Sequence, residues 1–151
     1  MEWNPLSAPG NLISQAARIF GRLGEARLKP LGFGVGQLPV LMALKDGAAL
    51  SQKQLAQLAR IEQPSMAQML GRMERDGLVA RSPDPRDGRS SLVSLTDLAL
   101  QQINDVRQVL LRGNEEALAG MTDQDVAILA DLLTRLIDNL RQAEARQLSC
   151  R

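Results

Sequence analysis

Residues 50–96 read LSQKQLAQLARIEQPSMAQMLGRMERDGLVARSPDPRDGRSSLVSLT, and this stretch decides the fold of the chain. Ser51 is a favourable N-cap for a short helix over residues 52–60. After a two-residue turn, Pro64 suits the first turn of a second helix, which is predicted to run to about Asp76. Two helices joined by so tight a turn are predicted to form a helix-turn-helix.

A β-hairpin is predicted directly after the second helix. Gly77 ends that helix, and two short runs of strand-forming residues follow at 78–80 and 91–95. Between them, residues 82–89 (SPDPRDGR) are dense in proline, aspartate and glycine, which are the residue types that form turns. A hairpin behind a helix-turn-helix predicts the wing of a winged-helix domain.

The sequence on both sides of this stretch is predicted to be helical. Asn11 can cap a first helix of periodic apolar residues, and a shorter helix follows a glycine-rich connection at residues 31–36. Thr96 can cap a fifth helix, and Thr122 with Asp125 resembles a capping box for a sixth. The predicted fold is therefore mainly α, with about six helices and a two- to three-stranded β wing.

Long apolar stripes lie on the first and the last helix, at the two ends of the chain. A compact winged-helix domain could cover only part of these stripes, so we predict that two copies pair and place the second helices of their helix-turn-helix motifs about 34 Å apart. The predicted division is an N-terminal arm and dimerisation helix (1–35), a winged helix-turn-helix domain (36–97) and C-terminal dimerisation helices with a tail (98–151).

The composition excludes several classes of protein. The chain has neither histidine nor tyrosine, so the usual general base and the commonest metal ligand are missing. The single cysteine, Cys150, cannot form an intrachain disulfide. We predict no enzyme, no cofactor and no metal site. Because the sequence lacks a long apolar run and a signal-peptide pattern, we expect a cytoplasmic protein that does not enter a membrane.

Charge is distributed evenly rather than concentrated in one basic segment. The net charge of +1 is the sum of +2 for residues 1–35 (four basic, two acidic), +1 for residues 36–97 (eight and seven) and −2 for residues 98–151 (six and eight). Nucleic-acid binding must therefore depend on where the arginines lie rather than on their number.

The second helix of the motif has two chemically different faces at about 100° per residue. The face predicted to be buried consists of Met66, Met69, Leu70 and Met73. A separate face carries hydrogen-bonding side chains, namely Ser65, Gln68, Arg72 and Arg75. Arginine can pair with guanine and glutamine with adenine. An isolated helix with such a face would usually only be solvated, but the preceding helix and tight turn favour a reader of the DNA major groove.

The predicted hairpin tip alternates in charge through Asp84, Arg86, Asp87 and Arg89. An arginine on a wing can enter a narrow minor groove, where the negative potential is concentrated. A neighbouring aspartate can hold such an arginine extended through a charge-assisted hydrogen bond. A charged tip alone would indicate only a solubilising turn; its position behind a helix-turn-helix favours DNA binding.

These residues together resemble the multiple-antibiotic-resistance regulator (MarR) family. Residues 77–96 contain that family's Asp-Pro-Arg-Asp-x-Arg tip and Val-x-Leu-Thr second strand, and the resemblance extends over about residues 11–146. Gly71 and Ala99 depart from the residues common in the family. The resemblance implies a winged-helix homodimer that binds a pseudo-palindromic DNA operator and regulates transcription, more often as a repressor than as an activator. It also implies that the first, fifth and sixth helices interlock across the two-fold axis.

The resemblance assigns roles to individual residues. It implies that the second helix of the motif, residues 63–76, is the recognition helix and that the helix before it contacts the DNA backbone. It implies that Arg86 enters the minor groove with support from Asp84, and that Arg89 lies near a phosphate. The residues predicted to bind double-stranded DNA are Ser51, Lys53, Gln54, Gln63, Ser65, Gln68, Arg72, Arg75, Asp84, Arg86 and Arg89.

Family members often respond to small aromatic acids, or to oxidants through a cysteine near the N-terminus. The position of Cys150 does not favour the oxidant route. For a small aromatic, phenolic or carboxylate effector, an arginine could hold the carboxylate and aromatic side chains could enclose the ring. Phe20 also lies on the apolar stripe of the first helix, which favours a core position instead. The candidate effector-binding residues are Arg18, Phe20, Arg22 and Phe33, and Trp3 is a further candidate for the wall of the pocket.

Two other functions remain open at this point. The first is a winged-helix module that binds proteins and not DNA; the arginine-bearing helix face and wing argue against it. The second is a small enzyme, which the missing histidine and the absence of a convergent acid–base pair disfavour.

Overall fold

The computed structural model describes residues 7–149, so Trp3 and Cys150 lie outside the described residues. Within this range no helix is both long enough and apolar enough to span a membrane. Two compact units can be distinguished, residues 1–113 and residues 114–151. The first unit holds the helix-turn-helix and the wing, and the second holds the last helix.

The described chain contains six α-helices and one three-stranded antiparallel sheet, so the predicted mainly α fold with a wing is confirmed. The strands lie in the order β1-β3-β2, which places β2 at an edge. In chain order, the elements are α1 (Pro9–Leu28), α2 (Leu38–Leu44), β1 (Leu50–Ser51), α3 (Gln52–Ala59), α4 (Gln63–Arg75), β2 (Val79–Asp84), β3 (Asp87–Leu95), α5 (Asp97–Ala117) and α6 (Asp123–Ser149).

Helix α1 begins at Pro9, and its cap residue is Ala8, three residues before the predicted cap at Asn11. Proline suits this position because its missing N–H would have no partner in the first turn and its fixed φ is helical. The backbone N–H of Asn11 already bonds to the Ala8 carbonyl at 2.9 Å. The predicted cap at Asn11 is therefore wrong.

The core of the first unit lies between α2, α3, α4, the sheet and the first half of α5. From α1 only Leu28, in the last turn, is fully buried. Phe33 belongs to this core at 3% exposure, whereas Phe20 is 47% exposed. The expectation that Phe20 is a core residue is therefore wrong, because only the C-terminal end of α1 packs on the core within this unit.

The turn between α3 and α4 depends on a left-handed residue. Arg60 has φ 53° and ψ 46°, and the N–H of Ile61 bonds to the Ala56 carbonyl at 3.0 Å. This geometry closes α3 and redirects the chain within two residues into α4. A non-glycine residue in the left-handed region is uncommon, so the turn that sets the crossing of α3 and α4 has a small cost in conformational free energy.

The wing is longer and tighter than predicted. Its strands extend through Asp84 and from Asp87, which leaves a tip of only two residues in place of the predicted residues 82–89. Pro83 pairs with Ser91 within the ladder, beside an irregularity at Asp84. Proline is tolerated there because β2 is an edge strand, where a missing N–H need not interrupt a second ladder.

Helix α6 begins at the predicted capping box. The N–H and hydroxyl of Thr122 donate to Asp125 Oδ2 at 2.9 and 2.7 Å, and the Asp125 N–H donates back to Thr122 Oγ1 at 3.2 Å. The hydrogen bond from the Thr122 side chain, followed by that from its backbone, lowers the pKa of Asp125 below its ordinary value of 3.8. Within its own unit this helix leaves its apolar side chains largely exposed.

Candidate nucleic-acid interface

Helix α4 presents a polar face to solvent because its opposite face is buried. Met66, Leu70 and Met73 are fully buried and Met69 is half-buried, as predicted. All the polar residues predicted on this helix are exposed: Gln63, Ser65, Gln68, Arg72 and Arg75. Gln63 lies apart from the stripe, since about 100° per residue places it about 160° from Ser65. The other four form one continuous strip along the helix.

The N-terminus of α4 is also open to an anion. Its cap residue, Glu62, makes no side-chain hydrogen bond to the first turn, and Pro64 contributes no N–H. The first-turn N–H groups of Gln63 and Ser65 therefore lack a side-chain cap. Uncapped N–H groups together with the helix dipole can accept a phosphate oxygen.

The far end of α4 is fixed to the base of the wing. Gly77 has φ 71°, a conformation that favours glycine, and it turns the chain out of the helix. Thr96, just after β3, donates its hydroxyl to the Gly77 carbonyl at 2.6 Å and accepts the N–H of Ala99 at 3.3 Å. One side chain thus caps α5 and holds the end of the wing against the end of α4.

The first turn of α3 is more internally bonded than the sequence suggested. Gln54 donates its N–H to Ser51 Oγ at 3.2 Å, and Ser51 donates its N–H to Gln54 Oε1 at 2.9 Å. This reciprocal capping box gives both side chains a structural role. The Ser51 hydroxyl hydrogen and the Gln54 amide group remain available as donors, beside the exposed Lys53.

At the wing tip, Asp84 does not hold Arg86 in the way that was predicted. Asp84 Oδ1 accepts the backbone N–H of Arg86 at 2.9 Å, and Asp87 Oδ1 accepts the backbone N–H of Arg89 at 3.0 Å. Each aspartate therefore shapes the turn rather than the arginine side chain. Within residues 7–149, neither Arg86 nor Arg89 forms an ion pair, so both guanidinium groups face solvent.

A connection between α4 and the wing was not predicted. Arg81 Nε on β2 donates to Glu74 Oε2 on α4 at 3.2 Å, and its Nη1 lies 3.4 Å from Ser91 Oγ on β3. This ion pair is partly exposed, so its contribution to stability is small. No local spacing rule identifies it, because the partners lie on different elements. Its effect is to orient the wing relative to α4.

The four candidate effector residues do not form one site within the chain. Arg18 and Arg22 are exposed on α1 with Phe20, whereas Phe33 is enclosed in the core. A shallow groove of about 350 Å³ on α6 contains none of them. That groove is lined by Leu132, Arg135, Leu136, Asn139 and Leu140.

Comparison with known proteins agrees with this geometry. A family model described as the MarR family matches residues 31–90. A mutant MarR from E. coli, crystallised with operator DNA, is 28% identical, with a TM-score of 0.78 over 87% of this chain and 93% of that chain.

Two further structures match along nearly their whole length. A probable transcriptional regulator from Pseudomonas aeruginosa is 28% identical, with a TM-score of 0.78 over 86% of this chain and 97% of that chain. The PcaV transcriptional regulator from Streptomyces coelicolor, solved in complex with its natural ligand, is 26% identical, with a TM-score of 0.75 over 91% and 98%. This family and fold are those of transcription regulators, which are not enzymes. The chain is therefore similar to the MarR family of winged-helix transcription regulators, in sequence over residues 31–90 and in fold over most of its length.

Proposed function

We propose that this protein is a sequence-specific repressor that binds a pseudo-palindromic operator as a homodimer and is released by a small-molecule effector. The observation that carries the proposal is the strip of Ser65, Gln68, Arg72 and Arg75, exposed on a helix whose opposite face is buried. The strip offers donors and acceptors that match base edges in the major groove. The ion-pair-free Arg86 on the wing offers a positive charge to the adjacent groove or phosphate.

The exposed apolar surface supports the dimer. On α1, Leu12, Ile19 and Leu23 are about half exposed, and α6 exposes a longer row of leucine and isoleucine side chains that ends at Leu140. Covering such side chains contributes about 1.5–3 kcal/mol for each one fully buried. We propose that residues 1–35 and 98–151 provide the dimer contacts and that residues 36–97 bind DNA.

An effector site involving α1 is consistent with the exposed side chains there. Arg18 and Arg22 offer guanidinium groups that could bind a carboxylate, and Phe20 offers an aromatic face. The Streptomyces coelicolor relative was solved with its natural ligand, which supports ligand control. We propose a small aromatic, phenolic or carboxylate effector; Phe33 has no part in this site because it is buried.

The first experiment identifies the operator. The purified protein selects binding sites from a randomised duplex library, and the enriched sequence is tested by gel shift against a scrambled duplex of the same composition. We expect a two-fold-related sequence that binds about 10³-fold or more tightly than the scrambled duplex at physiological salt. Failure to enrich any sequence would favour the protein-binding winged-helix module.

The second experiment tests the recognition helix. Gln68→Ala and Arg72→Ala are each expected to weaken discrimination between the operator and single-base variants by about 1–3 kcal/mol per lost base contact. Gln101→Ala and Arg107→Ala on α5 are matched controls for DNA contact, because they remove the same types of exposed side chain outside the proposed DNA-binding residues 36–97. Unchanged base preference in both α4 variants would contradict the assignment of α4 as the recognition helix.

A further inference from the structure

We propose that Gly24, Glu25, Gly34 and Val35 form a joint, here called the α1 joint, which fixes the direction in which α1 leaves the winged-helix core. Through that direction the joint sets the distance between the two recognition helices of the dimer. The proposal rests on the dimeric DNA-binding function proposed above. It concerns contacts within residues 1–113.

The first contact in the α1 joint is a hydrogen bond between elements. Glu25 Oε2 accepts the backbone N–H of Val35 at 2.9 Å. Val35 begins a short 3₁₀ turn, Val35–Gln37, that leads directly into α2. The preceding N–H, from Gly34, is bonded to Gln37 Oε1 at 2.9 Å within the turn itself. Glu25 therefore supplies the acceptor that ties α1 to the entrance of the core.

The second contact in the α1 joint is a close approach between Gly24 and the Val35 side chain, which a larger residue at position 24 would tighten. A Cβ atom on Gly24 would lie 3.0 Å from Val35 Cγ2, whereas carbon atoms prefer about 3.5–4.0 Å. A Cβ atom on Gly21, one turn earlier in α1, would meet nothing within 4 Å. Glycine weakens a helix interior, and at position 24 the contact with Val35 explains its presence.

The chain on the C-terminal side of this joint is firmly anchored. Leu28 and Phe33 are both buried in the core, and the Phe33 N–H bonds to the Leu28 carbonyl at 3.2 Å. The rest of α1, from Pro9 toward Gly24, exposes its large apolar side chains within this unit. Helix α1 is therefore held at one end, and the α1 joint sets its angle.

Small changes at this joint are amplified along the helix. At 1.5 Å per residue, Gly24 lies about 6 Å from Leu28 and Pro9 about 28 Å from it. A displacement of about 0.5 Å at Gly24 therefore becomes about 2 Å at Pro9 if the helix stays straight. That is more than half of the roughly 3.4 Å rise between successive base pairs. A dimer built on α1 would present its recognition helices at an altered spacing.

The deciding experiment measures that spacing without DNA. A spin label is attached to the cysteine introduced by Gln57→Cys on α3, in a Cys150→Ser background. The distance between the two labels of the dimer is then measured by pulsed electron paramagnetic resonance. We expect Gly24→Ala to shift the distance by about 2 Å or more, the displacement estimated from the helix rise. Gly21→Ala, the matched control, should leave the distance unchanged. Adding Val35→Ala to Gly24→Ala should restore it, because the methyl groups no longer collide.

Hydrogen exchange tests the Glu25 contact separately. Exchange at the Val35 amide should accelerate in Glu25→Ala and remain slow in Glu25→Gln, because glutamine keeps an acceptor oxygen. Operator affinity should change together with the distance between the two α3 helices. The Gly24→Ala variant should bind the operator about tenfold more weakly and should prefer an operator whose half-site spacing differs by one base pair.

An unchanged inter-label distance in Gly24→Ala, or unchanged exchange in Glu25→Ala, would overturn the proposal. If the wild type bound no operator, the proposed function would fail instead, while the distance and exchange results would still decide the role of the α1 joint. A monomer, which gives no distance, would overturn both.

Discussion

The substitution Arg86→Ala removes the positive charge from the wing tip with little disturbance of its backbone. Asp84 bonds to the N–H of Arg86, not to its side chain, so the turn keeps its hydrogen bond in the variant. The lost guanidinium has no ion-pair partner among the described residues. Any change in binding can therefore be attributed to the contact between Arg86 and DNA.

The expected magnitude follows from the number of charges removed. If each Arg86 neutralises one phosphate, the dimer loses two such contacts, and the slope of log affinity against log salt becomes less steep by about 1.8. Between 50 and 200 mM salt, the ratio of wild-type to variant affinity should then shrink by about 12-fold. The net charge of the chain changes from +1 to zero, a change shared by any arginine-to-alanine control.

The assay is a fluorescence-anisotropy titration of labelled operator across a series of salt concentrations. Arg107→Ala on α5 is the control, because it removes one exposed positive charge from the chain outside the wing. Sedimentation would establish that both variants have the oligomeric state of the wild type. A salt dependence in Arg86→Ala equal to that of the wild type would refute the placement of the wing on DNA.

Three further predictions concern stability. Ser51→Ala should lower the free energy of unfolding by about 1 kcal/mol in urea denaturation, because it breaks the capping box of α3; a change below a few tenths would show that the box contributes little. Leu70→Ala should lower the free energy of unfolding by about 2–5 kcal/mol in the same assay, because the side chain is fully buried. A decrease as small as that expected for an exposed residue would contradict the packing of α4. Thermal melts should show Asp125→Asn less stable than the wild type at neutral pH. Because Thr122 lowers the pKa of Asp125, the stabilisation by the charged form is present above 3.8 and is lost as the pH falls through the folded-state pKa. A stability difference independent of pH would contradict that cause.

Local sequence signals predicted most of the structure on which the candidate interface is built. The N-cap at Ser51, the proline in the first turn of α4 and the glycine after that helix are short-range signals, so they can be recognised without knowledge of the rest of the fold. The methionine and leucine periodicity of α4 likewise identified the buried face, which left the polar strip exposed. These features depend on residues within one or two helical turns of each other.

Signals that depend on distant contacts were missed or misread. Arg81 pairs with Glu74 across two elements, and Glu25 accepts an N–H ten residues away, so neither has a local pattern. Pro83 indicates a turn by composition, yet it lies in the edge strand because the partner strand is long enough to pair with it.

The sequence alone determined that the chain has a helix-turn-helix with a wing and which face of α4 is polar, because helix periodicity and turn chemistry are local properties. Only the tertiary structure decided which apolar residues are covered. Phe20 follows the apolar stripe of α1 but is 47% exposed, while Phe33, in a glycine-rich connection, is buried. Periodicity identifies an apolar face, but burial depends on which element packs against it, and only the last turn of α1 reaches the core.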